Sequence, residues 1–111
     1  MNKIRLVVNN VSKRNEKEKF FIKKELQSIL NLYAKMVSNG SWKDYSFTSD
    51  IKEVSFDVYQ RSSDKPILRI LKNLKPKYFN EKYLIKDKNG AVLKKSENLN
   101  QLISKTSWNK L

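Results

Sequence analysis

A chain of 111 residues suits one domain and buries about two-thirds of the surface its unfolded form exposes. It has no cysteine and no histidine. That excludes a disulfide scaffold, a thiolate metal site and a thiol nucleophile. It also leaves no side chain whose ordinary pKa lies near neutrality. The 24 Lys and Arg against 11 Asp and Glu give a net charge of +13, which favours an anionic partner: RNA, DNA, a ribonucleoprotein or an anionic membrane.

Lysine outnumbers arginine heavily, and alanine occurs only at Ala34 and Ala91. The codon usage of an AT-rich genome accounts for lysine over arginine, but less well for the excess over acidic residues. The charge is uneven. Residues 65–95 carry ten basic and two acidic side chains, whereas residues 41–64 carry three basic and five acidic ones. No apolar run approaches the roughly 18 residues that span a bilayer. The N-terminal apolar run is too short for a signal peptide, so a cytoplasmic protein is expected.

In chain order, Ile4, Leu6 and Val8 alternate with Lys3, Arg5 and Val7, which suggests a short first strand. Residues 9–19 are polar and read as a loop or a frayed helix start, so residues 1–19 are expected to be partly flexible and the compact core to span about 20–105. Ile22, Leu26, Ile29, Leu30, Tyr33, Met36 and Val37 then follow helical spacing and form one apolar stripe. Its start has two readings. Asn15 with Glu18 can form an early capping box; alternatively Phe20 and Phe21 are extended and the helix begins near Ile22. Asn39-Gly40 ends it, with Gly40 free to adopt the left-handed conformation.

Val54, Phe56 and Val58 alternate with Glu53, Ser55 and Asp57, and Ile67 to Leu71 form a second strand after a polar loop. Pairing Val58 with Leu68, Phe56 with Ile70 and Asp57 with Arg69 matches apolar to apolar and acid to base. A second hairpin turns at Lys88-Asn89-Gly90. A two-residue turn pairs Ile85 with Lys94; a three-residue turn with Gly90 left-handed pairs Ile85 with Leu93 and Lys86 with Val92. The latter is preferred, because it gathers Tyr83, Ile85, Ala91 and Leu93 on one face and sets Lys86 and Lys94 together. Ser96 then caps a short helix burying Leu99, Leu102 and Ile103, and the tail beyond either frays or folds Trp108 back. The fold class expected is α+β: an antiparallel sheet of two β-hairpins, with an extra N-terminal strand, packed against one long helix, and a short C-terminal helix.

Four stretches resemble one family: Glu25 to Tyr33, Gly40-Ser41-Trp42-Lys43-Asp44-Tyr45, Tyr59 to Ile70, and Gly90 to Lys95 with Leu99 and Leu102. Jointly they resemble the alphaproteobacterial family catalogued as domain of unknown function 2794, over about residues 20–105. Ile22 stands where that family carries a helix-capping aspartate, and Gln60 where an arginine precedes Arg61. The resemblance implies a bacterial cytoplasmic origin and no particular activity.

No catalytic residue, metal ligand or cofactor site is expected, and the chain is read as a non-enzyme. Asp44, Asp50, Glu53 and Asp57 are the best acidic cluster for a metal or acid–base pair, but pairing with Arg69 and Lys43 explains two of them. The leading function is a small basic module docking on nucleic acid or a ribonucleoprotein. Candidate contacts are Arg61, Lys72, Lys75, Lys77, Tyr78, Lys82, Lys86 and Lys94, with Lys65, Lys95 and Phe79 beside them, because clustered cations and aromatics serve phosphates and bases. The rival is a protein-interaction or regulatory adaptor, or a homodimer through a strand edge, using Trp42 and Tyr45 as a partner-binding hot spot. A core role for both aromatics competes with that reading.

Overall fold

The computed structural model describes residues 19–61 and 65–110. The strand expected at residues 4–8 and the capping box of Asn15 and Glu18 lie outside these. Helix α1 (Lys23–Ser38) opens the described chain. It starts directly after Ile22, so Phe20 and Phe21 precede it, as the second reading of its start had it. Ile22 has no side-chain oxygen to cap with. The Glu25 carboxylate reaches back instead and accepts the Ile22 N–H at 2.8 Å, which is half of a capping box. At the far end Gly40 takes φ +84°, and the Ser41 and Trp42 N–H groups both return to the Met36 carbonyl.

Five strands follow: β1 (Asp44–Ser49), β2 (Glu53–Tyr59), β3 (Leu68–Asn73), β4 (Tyr83–Asp87) and β5 (Val92–Ser96). They form one antiparallel sheet in the order β1-β2-β3-β4-β5. The two expected hairpins lie side by side in it, since β3 pairs with β4 through Arg69–Lys86, Ile70–Ile85 and Lys72–Tyr83. The β2–β3 register is the expected one, with Val58 opposite Leu68, Asp57 opposite Arg69 and Phe56 opposite Ile70.

Strand β1 was not anticipated, and it pairs Phe47 with Phe56 and Tyr45 with Val58. The β4–β5 register combines both expected turns. Lys86 faces Val92, then a bulge shifts the ladder so that Ile85 faces Lys94 rather than Leu93. The bulge sends Lys86 and Lys94 to opposite faces of the sheet, which corrects the expectation that they share one. Ala91 and Leu93 stay exposed.

Helix α2 (Leu99–Ser104) is capped by Asn98, whose side chain accepts the Gln101 N–H at 3.0 Å. The cap is thus two residues later than Ser96, whose hydroxyl instead accepts the Asn98 N–H. The core lies between α1 and one sheet face. Ile29, Leu32 and Met36 meet Val54, Phe56, Val58, Leu68, Ile70 and Ile85, and α2 adds Leu99 and Leu102. Ile22, Leu30 and Val37 are exposed, so the buried stripe of α1 is rotated to Glu25, Ile29, Leu32 and Met36.

Candidate nucleic-acid interface

The antiparallel order collects loops at two ends of the sheet. One end carries the β1–β2 turn at residues 50–52 and the connection at residues 74–82 between β3 and β4. The other carries the β2–β3 turn, the β4–β5 turn and the end of α1. Candidate residues are divided between them.

At the first end, Lys75 and Lys77 are exposed, Lys82 is half-buried, and Tyr78 and Phe79 are 58% and 82% exposed. The neighbouring turn adds Lys52 and Ile51, the latter 80% exposed. The two loops are tied by a hydrogen bond from the Leu74 N–H to the Lys52 carbonyl at 2.8 Å. The Lys77 ammonium lies 5.7 Å from the Tyr78 ring centroid and Lys82 lies 5.6 Å from that of Tyr83. Two nearby carboxylates are engaged. Asp50 accepts the N–H groups of Lys52 and Glu53 within its own turn, and Glu81 faces Lys95 at 3.9 Å.

This lysine-bearing tip is braced from below. The Asn73 N–H donates to the Lys82 carbonyl and the Asn73 side-chain amide to the Glu81 carbonyl. A one-turn 3₁₀ helix (Phe79–Glu81) folds the apex. Directly beneath, Lys72 of β3 and Tyr83 of β4 face each other across the ladder, and both bind Glu25 of α1. The Lys72 ammonium is 2.8 Å from Glu25 Oε1 and donates to the Phe20 carbonyl at 3.2 Å. The Tyr83 hydroxyl donates to Glu25 Oε2. All three side chains are buried. A buried ion pair persists only where further hydrogen bonds satisfy its remaining atoms, and here the Ile22 N–H and the tyrosine hydroxyl do so. The clamp thus locks both stems of the 74–82 connection onto the start of α1.

Lys72 is accordingly corrected: it is 1% exposed and holds the scaffold rather than offering its charge to a phosphate. The remaining cations are dispersed. Arg61 and Lys65 are exposed at the opposite end of the sheet. Lys86 projects from the face away from α1. Lys94 projects from the α1 side and reaches the Lys105 carbonyl at 3.4 Å. The structure therefore brings together Lys75, Lys77, Tyr78 and Lys82, and separates them from Arg61, Lys86 and Lys94.

The partner-binding pair is also divided. Trp42 is 4% exposed, packing edge-on against Trp108 at 5.8 Å between ring centroids. The core reading holds for it, and Trp108 folds back by donating its indole N–H to the Ile103 carbonyl. Tyr45 is 40% exposed and stacks on Phe56 at 5.2 Å. A cleft of about 460 Å³ opens beside the two tryptophans, but its Asp87 carboxylate is committed to the Asn89 and Ala91 N–H groups of the β4–β5 turn.

The acidic cluster is spread along β1 and β2. Asp57 is buried on the face away from α1, accepting from Thr48 and Ser55 at 2.7 Å each with Arg69 at 3.5 Å. Among the described residues no three carboxylates gather as a metal site, and no helix is long and apolar enough to cross a membrane.

Sequence reasoning missed Glu25, Ile51 and Lys52. Glu25 could have been found, since it falls on the 25–29–32–36 helical spacing of the buried face. Ile51 and Lys52 carried no local signal, because only the meander sets their turn beside the tip.

A five-stranded antiparallel meander under one long helix, with a short second helix and a basic aromatic tip, defines a small α+β protein. The family model described as "Protein of unknown function (DUF2794)" matches residues 19–103, and the chain belongs to that family. No curated protein and no solved structure matches it.

Proposed function

We propose that this protein is a non-catalytic basic module that docks on nucleic acid, free or within a ribonucleoprotein, through the tip formed by residues 74–82 and the adjoining turn. The observation that carries the reading is the exposure of Tyr78 and Phe79 among Lys75, Lys77, Lys82 and Lys52, on a connection whose stems are clamped by Glu25. Cations attract the phosphate backbone at long range. A braced loop loses little conformational freedom on binding.

Fluorescence anisotropy with labelled RNA and DNA, titrated across salt, tests this. Log affinity falls linearly with log salt, by about 0.7 to 0.9 per phosphate neutralised. The Lys75→Gln/Lys77→Gln/Lys82→Gln variant weakens binding and flattens that slope by roughly 2. Arg61→Gln/Lys86→Gln, at the other end and on the outer face, changes both much less. Absence of binding to either polymer at low salt ends the proposal.

A further inference from the structure

Resting on the docking reading above, we infer that the tip takes unpaired nucleotides, with bases stacked on Tyr78 and Phe79, rather than double helix. Lysines alone serve any polyanion, and a duplex presents a continuous phosphate surface that needs no aromatic. Phe79 is 82% exposed and Tyr78 58%, consecutive at the apex of a connection whose backbone is closed by Asn73. Two neighbouring rings held outward on a braced turn cannot pack into their own core. Bases in a single strand offer flat faces of matching size, and every base has one, whichever its sequence. Base pairs in a duplex keep those faces covered.

The spacing of charge agrees. Lys77 precedes the two rings and Lys82 follows them, so cations flank the stacking platform as the phosphates flank a base. The Lys77 ammonium lies 5.7 Å from the Tyr78 ring centroid and leaves that ring 58% exposed. The alternative occupant, an anionic bilayer, fits less well. Within the two loops of the tip, Ile51 is the one large exposed aliphatic side chain among the described residues, which is little apolar area to bury in a bilayer.

Anisotropy with oligouridine, oligothymidine and a blunt duplex of equal phosphate count decides it, using the full chain. The inference expects either single strand to bind about tenfold or more tightly than the duplex, and Phe79→Ala to lose about tenfold on single strands with the duplex value unchanged. Phe79 is exposed, so that variant folds. A Phe79→Trp variant adds a direct signal: indole emission quenched on adding single strand, and not on adding duplex.

Equal binding of duplex and single strand, or a Phe79→Ala protein that binds as the parent does while the triple lysine variant is weak, overturns the stacking inference and leaves polyanion docking standing. Failure of all three nucleic acids overturns both. Capture by phosphatidylserine-containing vesicles that Phe79→Ala abolishes, with no nucleic acid bound, overturns both in favour of a membrane surface.

Discussion

Glu25 ties three elements of the fold together. Its carboxylate closes the first turn of α1 through the Ile22 N–H, neutralises Lys72 and accepts the Tyr83 hydroxyl. Removing one partner of a buried pair leaves the other charge uncompensated, at a cost of about 3–5 kcal/mol. Glu25→Leu and Lys72→Met are each expected to destabilise by about that amount in denaturant unfolding. The double variant should recover much of the loss, because two apolar side chains of similar volume can replace a buried pair at little net cost. Additive losses in the double-mutant cycle would show that the pair is not coupled. Trp42 is the second such residue. Buried against Trp108 and Tyr33, it should cost about 3–5 kcal/mol when replaced by alanine. Its loss therefore reads out as lowered stability in thermal unfolding, not as selective loss of a partner.

At the scale of elements, the two edges of the sheet differ. Strand β1 is lined on its inner side by Tyr45 and Phe47, which pack on Phe56. Strand β5 leaves Val92 and Leu93 half-exposed and carries Lys94 and Lys95. Charged lysines on an edge strand oppose pairing with another chain. Lys94→Thr with Lys95→Thr is expected to raise self-association in sedimentation at high concentration, with the fold retained by circular dichroism. An unchanged sedimentation coefficient would show that these lysines do not guard the edge.

The elements also divide by how readily their sequence announces them. The β2–β3 register was legible because Asp57 opposite Arg69 and Phe56 opposite Ile70 agree on both faces at once. Strand β1 is less legible, because its alternation rests on Tyr45 and Phe47 alone and Tyr45, beside Trp42, fits a surface pair equally well. The bulge in β5 was illegible for a physical reason. Both turn readings around Gly90 satisfy the same local chemistry, and the choice falls to how β4 sits against β3.

Across the whole molecule, a net charge of +13 does not make every lysine part of one surface. Among the described residues, the connection between β3 and β4, with the 50–52 turn beside it, joins several cations to the two most exposed aromatics, Tyr78 and Phe79. Composition, helical periodicity, strand alternation and the two glycine turns already determined an α+β chain with a basic, non-thiol surface, because those signals act between residues close in sequence or directly opposed in a hairpin. Which lysine is buried and which faces solvent was decided only by tertiary structure. Strand alternation carries Lys72 onto the same face as Leu68 and Ile70, but nothing near it in sequence supplies a partner for its charge. It is withdrawn from water because a carboxylate from 47 residues earlier arrives on α1 to meet it. A charge's availability depends on its partners across the fold, not on its neighbours along the chain.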